Sequence, residues 1–324
     1  MIVYDLSALG TNEVSFYLAL EQELLSILDE DIFFLWNIST SIVIGRNQVL
    51  QAEVNLEYAR QHNIPIYRRP SGGGAIYADN GCFMYSYLTK KRDRNNVYSS
   101  LLAKIKSLLA SLGLEIVFSG RNDLLFKGRK FSGTAIFQNS NGTILHGTFL
   151  YDTNIACLVS ALTVDRTKLI SKGIKSVEER VINLAPYLTK TKTELMAYFV
   201  KNIGDKSIEL PSFIINQARQ EEKKYNNDAW LWDKNPEYSV VFKKRYSFGS
   251  IEAYLLIKQN KVKKLEIRGD FFNKQDLNLF YRAFNQVMFS KEAFCEVLEK
   301  VPISDFIFDA SNQDFLNLLF EEVL

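Results

Sequence analysis

The stretch GRNDLLFKGRKFSGTA, residues 120–135, holds two strand-like runs, NDLLF and RKFSG, separated only by Lys127-Gly128. A two-residue connection with glycine between such runs is typical of a tight β-hairpin. Directly downstream, TAIF and TILHGTF are separated by NSNG at 139–142, which indicates a second turn. Strands that pair with their neighbours in the chain predict an antiparallel sheet around these residues.

The chain before this hairpin contains both helical and strand-like patterns. A helix is predicted from near Asn12, with apolar residues at helical spacing that Glu21 interrupts. Further patterns predict strands at 32–36, 41–45, 64–69 and 83–88, and helices at 53–62 and 97–112. The combination predicts an α/β fold of the α+β type, with a mixed, largely antiparallel sheet and flanking helices.

The C-terminal part of the chain predicts a second, smaller domain. Two helical stretches follow residue 191, and the polar segment 233–237, with Asn235-Pro236, is the best linker candidate. Beyond it, SIEAYLLIK and KVKKLEIRG predict two strands, followed by helices. We therefore expect a large N-terminal domain over 1–240 and a small α+β domain over 241–324.

Composition argues against several classes of protein. The 39 basic and 37 acidic side chains give a net charge of +2, which offers no reason to expect a nucleic acid partner. Three widely spaced cysteines without a CxxC pair fit free thiols in a reducing compartment, and zinc binding is not expected. No signal peptide or membrane-spanning run is recognisable, so we expect a cytoplasmic protein with no membrane partner.

Three segments contain residue types suited to chemistry. In RRPSGGGAIY, residues 68–77, three glycines allow the backbone to approach a ligand closely, and two arginines add positive charge. Lys130, beside Ser-Gly in the hairpin, can bridge two anions if it faces the glycine segment. The third segment is His146-Gly147-Thr148. Taken singly, a triple glycine is commonly a turn, a strand lysine a surface residue and a lone histidine structural.

Taken together and in order, RRPSGGGAIY, GRNDL, GRKFSGTA and HGT resemble the lipoate–protein ligase family. SIVIGRNQ at 41–48, preceded by Leu35-Trp36, and KGIKSVEERVINL at 172–184 support the likeness. It extends closely over residues 1 to about 190, and more loosely through the small C-terminal domain that family members often have.

The resemblance implies a two-step reaction, in which lipoate and Mg-ATP give lipoyl-AMP, and a lysine of an acceptor lipoyl domain then takes the acyl group. It implies that Lys130 is the catalytic lysine and that Asp123 is a candidate ligand of Mg²⁺. Substrate- and ATP-binding roles are implied for Arg69, Ser71, Gly72, Gly73, Gly74, Ala75, Ile76, Tyr77, Asn122, Asp123, Gly133, Ala135, His146 and Thr148. The implied acceptor is the E2 subunit of a 2-oxoacid dehydrogenase or a glycine-cleavage H-like protein.

The sequence also departs from the family pattern. Ala78 precedes Asp79 where a histidine is usual, and Cys82 and Met84 stand where small polar residues are usual. These changes leave open the adenine contacts, the choice between lipoate and octanoate, and the identity of the acceptor.

Two alternatives to the ligase remain at this point. Related acyltransferases transfer octanoyl through a cysteine without ATP, but at the matching place this chain has Ser119-Gly120-Arg121. A non-catalytic lipoate- or acceptor-binding protein would not need the phosphate-binding segment or Lys130. Biotin ligases share the broad fold, but their GRGRxG loop is absent here.

Overall fold

The computed structural model describes residues 1–119, 122–162, 180–232 and 238–320. Its helices are α1 (Val14–Ser26), α2 (Leu50–Glu53), α3 (Leu56–Gln61), α4 (Arg94–Ala110), α5 (Ile155–Ala161), α6 (Lys192–Asn202), α7 (Ser212–Glu221), α8 (Asp228–Trp232), α9 (Asn278–Ala283), α10 (Lys291–Lys300) and α11 (Asn312–Phe320). Its strands are β1 (Ile2–Asp5), β2 (Thr11–Asn12), β3 (Ile32–Ile38), β4 (Ser41–Ile44), β5 (Ile66–Arg68), β6 (Ile76–Ala78), β7 (Cys82–Thr89), β8 (Ile116–Ser119), β9 (Asp123–Phe126), β10 (Arg129–Asn139), β11 (Gly142–Leu150), β12 (Lys206–Glu209), β13 (Val240–Tyr246), β14 (Gly249–Lys258) and β15 (Lys261–Gly269).

The main sheet runs in the order β12-β1-β3-β7-β11-β10-β9-β8, with β2 beside β3. Strands β3, β7, β11, β10, β9 and β8 pair antiparallel, whereas β1 pairs parallel with β12 and β3, and β2 pairs parallel with β3. This confirms the predicted mixed, largely antiparallel sheet with flanking helices.

The central strands of the main sheet are covered on both faces, and the alternation of side chains along each strand directs successive residues to opposite faces. On β3, Phe34 and Trp36 pack with α1 and α7, whereas Phe33 and Leu35 pack with α4 and α6 on the opposite face. The apolar side of α1 is therefore held directly against the sheet, and Glu21 is buried with it.

A separate three-stranded sheet carries the triple-glycine segment. Its order is β5-β4-β6, with β4 parallel to β5 and antiparallel to β6. Residues 69–75, which we call the glycine loop, therefore carry the chain from one side of β4 to the other. The chain approaches itself closely here, since a Cβ on Gly45 would collide with the carbonyl oxygen of Gly73.

The C-terminal part forms an antiparallel sheet, β13-β14-β15, with a core of its own. Strands β14 and β15 confirm the two that the sequence predicts, and β13 was not predicted. This part also contacts the glycine loop, since the Gly73 N–H donates to the Phe271 carbonyl at 3.2 Å. The side-chain amide of Asn47 donates to Asn273 at 2.6 Å. The linker predicted at 233–237 lies outside the described residues, and the division at residue 240 stays a prediction.

The helix predicted over 53–62 is present as α3, but it begins three residues later than predicted. The structure has α2 and α3 with Val54 and Asn55 between them, because Asn55 begins α3 by accepting a hydrogen bond from Tyr58 N. No helix in the described part of the chain is long and apolar enough to cross a membrane.

Candidate active site

Lys130 is held in a defined place by the β9–β10 hairpin. Its backbone pairs with Leu125 of β9, and its Nζ lies 2.7 Å from Oδ1 of Asp123. The side chain extends over Gly133, where an added Cβ would lie 2.8 Å from Nζ. The glycine of the KFSG segment therefore leaves the room that the lysine occupies.

The loop just before β9 is tied to the same hairpin. The Asn122 side-chain amide donates to the Thr134 carbonyl at 3.1 Å, and Thr134 N donates to the Asn122 carbonyl at 2.8 Å. Across the next strand pair, Gly133 N donates to the hydroxyl of Thr148 at 3.2 Å. Gly120 and Arg121 of this motif, and residues 172–179 of the supporting segment, lie outside the described residues.

A cavity lies beside Lys130 and joins the predicted motifs. It is lined by Val14, Leu18, Trp36, Val43, Arg69, Gly74, Ala75, Ile76, Met84, Asn122, Lys130, Gly133, Thr134, Ala135, His146, Gly147 and Thr148. Part of this wall is aliphatic or aromatic and part is polar, which suits a ligand with an apolar chain and a charged end. We call it the acyl cavity.

Ten of the predicted site residues line the acyl cavity, and the other five lie elsewhere. Ser71 and Gly72 line a larger cleft against the C-terminal part, and Gly73 packs on Phe272. Asp123 is ion-paired with Lys130, which lines the cavity. Tyr77 is buried in a separate cluster with Ile42 and borders a different depression.

The two arginines of the glycine segment are both buried and bind the protein itself. The guanidinium of Arg69 donates to the carbonyls of Val43, Gly72 and Gly74 and to the hydroxyl of Ser71. Arg68 donates to four further carbonyls, those of Gly45, Arg46, Gln48 and Leu231. The two arginines supply the positive charge that would attract an anionic ligand. Their N–H groups, however, are hydrogen-bonded to the protein, and these bonds hold the loop in shape.

Beneath the glycine loop lies a buried acid that the sequence motifs did not identify. Glu21 is fully buried, and its carboxylate lies 2.9 Å from Nδ1 of His146. Nε2 of the same imidazole lies 2.7 Å from Oγ of Ser71. Burial lowers the pKa of Arg69 to about 10, whereas the Glu21 carboxylate raises it. In the sequence, the only sign of this buried acid is that Glu21 interrupts the apolar face of the predicted first helix.

The cleft that reaches Ser71 and Gly72 has a volume of about 1270 Å³. It is basic, because seven cationic side chains and three anionic ones line it: Arg46, Arg92, Lys263, Lys264, Arg268, Lys274 and Arg282, with Glu266, Asp276 and Asp305. Such a cleft suits a polyanionic ligand.

Comparison with known proteins identifies the family. The model of the lipoyl protein ligase A/B catalytic domain matches residues 13–204. The chain belongs to the lipoyl protein ligase A/B family. The model of the bacterial lipoate protein ligase C-terminus matches residues 235–319. The family that the motifs predict is thereby confirmed.

Curated relatives resemble the chain over nearly its whole length. Lipoate-protein ligase LplJ of Bacillus subtilis is 31% identical over 322 residues, 95% of this chain and 97% of the relative. Lipoate–protein ligase 1 of Staphylococcus aureus is 31% identical over 313 residues, 93% of this chain and 95% of the relative.

Two solved structures support the fold. P. falciparum LipL1 in complex with lipoate has a TM-score of 0.79 and 21% identity, and the alignment covers 98% of this chain and 97% of that one. Lipoate-protein ligase A bound with ATP has a TM-score of 0.62 and 20% identity, over 71% of this chain and 97% of that one.

Proposed function

We propose that this chain activates lipoate with ATP as lipoyl-AMP and transfers the lipoyl group to a lysine of an acceptor protein. The observation that carries the proposal is the placement of Lys130 at a part-apolar cavity shared with Gly74 of the glycine loop and with His146. The names of the B. subtilis and S. aureus relatives, both lipoate ligases, agree with it.

In the first step, a carboxylate oxygen of lipoate attacks the α-phosphorus of ATP, and pyrophosphate leaves. Both reactants are anions, so their approach is opposed by charge repulsion. The ammonium of Lys130 is partly exposed and paired with Asp123. In this proposal it would lie between the carboxylate and the α-phosphate. Its charge stabilises the transition state because it is already oriented before the reaction.

In the second step, the neutral amine of the acceptor lysine attacks the acyl carbon, AMP leaves, and the amine loses a proton.

The glycine loop and the basic cleft beside Ser71 suit the polyphosphate of the nucleotide. The apolar part of the acyl cavity, which includes Leu18, Trp36 and Met84, suits the aliphatic chain.

The Mg²⁺ implied by the family fits the residues present. Magnesium is commonly held by one or two carboxylates together with substrate phosphates and water. Asp123 supplies one carboxylate beside the proposed reaction centre, and among the described residues no cluster of three or more metal-binding side chains exists. The ion would neutralise phosphate charge, and Asp123 is the residue that would hold it.

The proposed acceptor is a lipoyl domain of a 2-oxoacid dehydrogenase E2 subunit or a glycine-cleavage H-like protein. One solved structure, 22% identical with a TM-score of 0.63, is described as a bi-partite lipoate protein ligase of Thermoplasma acidophilum and its E2 lipoyl domain. The cytoplasmic location stays a prediction.

The cysteine-dependent transferase is the less favoured function. Cys82 is fully buried, and burial raises its pKa to about 12, so it lacks the thiolate that a nucleophile needs. Where the resemblance places the cysteine of that class, the sequence has Ser119-Gly120-Arg121, with no cysteine.

Release of pyrophosphate tests the proposal directly. Incubation with ATP and lipoate should release pyrophosphate, and omission of either substrate should abolish the release. Acyl transfer from an octanoylated carrier protein without ATP would instead support the transferase.

A further inference from the structure

Four buried polar side chains form a continuous chain of contacts from the glycine loop, to which two of them belong, into the core beneath it. Arg69 Nε donates to Ser71 Oγ at 3.0 Å, Ser71 Oγ lies 2.7 Å from His146 Nε2, and His146 Nδ1 lies 2.9 Å from Glu21 Oε1. Their exposed fractions are 5%, 1%, 4% and 0%. We call these residues the buried relay.

The donor at each contact can be assigned from the chemistry at the two ends. A guanidinium only donates, so Ser71 Oγ accepts from Arg69. A carboxylate only accepts, so Nδ1 of His146 carries the hydrogen that it shares with Glu21, and Nε2 of the neutral imidazole accepts the hydrogen of Ser71. At the other end, Trp36 Nε1 donates to Ser86 Oγ at 2.9 Å, so the Ser86 hydrogen goes to Glu21 at 2.5 Å.

The carboxylate of Glu21 therefore accepts on both sides. It accepts from Ser86 and from Nδ1–H of His146, while Nε2 of the imidazole accepts from Ser71. This corresponds to the Nδ1–H tautomer of His146. It also places the negative charge of Glu21 in the same buried region as the positive charge of Arg69.

We propose that Glu21 is a positioning residue that fixes the tautomer of His146 and, through Ser71, the orientation of Arg69 and the glycine loop. This inference rests on the proposed function for its effect on catalysis. Arg69 is the residue through which the effect reaches the loop, because its Nη2 donates to the carbonyls of Gly72 and Gly74 at 2.6 and 2.8 Å. His146 also lines the acyl cavity, so the relay joins the cavity to the loop.

A hydroxyl, an imidazole and a carboxylate in this order also form the nucleophilic triad of hydrolases. Two observations favour positioning over nucleophilic attack. Oγ of Ser71 accepts a hydrogen bond from Arg69, which withdraws electron density from the oxygen. Ser71 lines the cleft, whereas His146 lines the acyl cavity, and Ser71 is only 1% exposed.

The tautomer can be observed without any assay of activity, because the chain has only two histidines, His62 and His146. Long-range ¹H–¹⁵N correlation spectra of protein labelled with ¹⁵N-histidine distinguish protonated from unprotonated ring nitrogens, and His62→Gln assigns the His146 signals. We expect protonated Nδ1 and unprotonated Nε2 in the wild type. In Glu21→Gln, which places an N–H donor where one carboxylate oxygen accepts, we expect the preference to be lost. An Nε2–H tautomer in the wild type would overturn the proposal.

Kinetics test whether the relay acts as a unit. We expect Glu21→Gln and Ser71→Ala each to lower kcat/KM for pyrophosphate release about 10-fold or more, since each leaves a buried partner unsatisfied. The double variant should lose less than the product of the two single losses, because both changes interrupt one chain of contacts.

Tyr87→Phe is the control, because it removes a part-buried hydrogen bond to the carboxylate of Asp31 at 2.6 Å, outside the relay. It should lower the melting temperature slightly and leave kcat/KM unchanged.

Additive losses in the double variant, or a Glu21→Gln protein that is destabilised but fully active, would contradict the proposal. Hydrolysis of an activated acyl ester that Ser71→Ala abolishes would show a triad instead. If the wild type released no pyrophosphate, the proposed function would fail, and the spectra would still decide whether the relay exists.

Discussion

Lys130 owes its position to residues on both sides of it in the hairpin. Asp123 pairs with its ammonium, and Gly133 leaves space for its side chain. These contacts orient one cation before any substrate arrives, and such preorganisation is what makes a charge effective in catalysis.

We expect Lys130→Ala to lower the rate of pyrophosphate release by on the order of 10²–10³, the usual cost of removing a charge-stabilising contact. Lys130→Arg should fail as well, because a planar guanidinium cannot replace a compact ammonium between two anions. The control is Lys127→Ala, which removes an exposed lysine from the turn of the same hairpin. It should retain activity. Near-normal release by Lys130→Ala would contradict the assignment.

We expect Cys82→Ser to retain ATP-dependent acyl transfer with at most a modest loss of stability. The thiol packs in the core between α1 and the sheet, where it acts as a small apolar group. Intact-mass analysis of the acceptor, together with a thermal melt of the variant, checks both parts. An acyl thioester trapped on wild-type Cys82, with transfer lost in the variant, would establish the transferase mechanism instead.

At the scale of elements, the glycine loop depends on its neighbour β4. Gly45, directly after this strand, allows the Gly73 carbonyl to approach, and a methyl group there would meet backbone atoms that have little freedom to move. We therefore expect Gly45→Ala to weaken nucleotide binding by displacing the loop, measured by calorimetry with ATP. Ser41→Ala, at the other end of β4, is the control. Unchanged ATP affinity in Gly45→Ala would show that the loop position is not required.

The elements that the sequence predicts well are those formed by local contacts. The Lys127-Gly128 turn is an example, because both residues have positive φ, 51° and 73°, as a two-residue hairpin turn requires. Strand β12 is the opposite case. Its four residues are exposed, and it pairs with β1, some 200 residues away, so nothing local predicts it. Strand β13 is largely exposed, which weakens its apolar alternation.

The same distinction applies to the candidate site. The motifs led to Lys130, Asn122 and His146 because each lies in a recognisable segment. Glu21 could be noticed only as a charge on an apolar helix face. Its partners Ser86 and His146 lie 65 and 125 positions away in the chain, and only the folded sheet places them together.

At the scale of the whole molecule, the C-terminal part contacts the glycine loop through Phe271, and it brings Asp270 near Glu53 of α2. Burial, and then the carboxylate of Asp270, raise the pKa of Glu53 in α2 to about 7 from its ordinary value of 4.5. Two acidic groups from different parts of the chain therefore lie close together at this junction.

We expect this carboxyl to make stability depend on pH. Because the folded state favours the protonated form, the stabilisation from Glu53 is complete below about pH 4.5 and is lost as the pH rises through about 7. Glu53→Gln should therefore have a higher free energy of unfolding than the wild type at pH 8, and a similar one near pH 4.5. Urea titrations at both pH values measure the difference, with the exposed Glu57→Gln as control. A wild-type advantage at pH 8 would contradict the assigned environment.

The proposed ATP-dependent lipoylation is tested most directly by measuring the intact mass of a purified lipoyl domain after incubation with the protein, lipoate and ATP. We expect the domain to gain one lipoyl group, and to gain none when ATP is omitted, when Lys130→Ala replaces the wild type, or when the acceptor lysine is changed to arginine. A domain that stays unmodified with every component present, or that is modified equally well without ATP, would contradict the ligase proposed here.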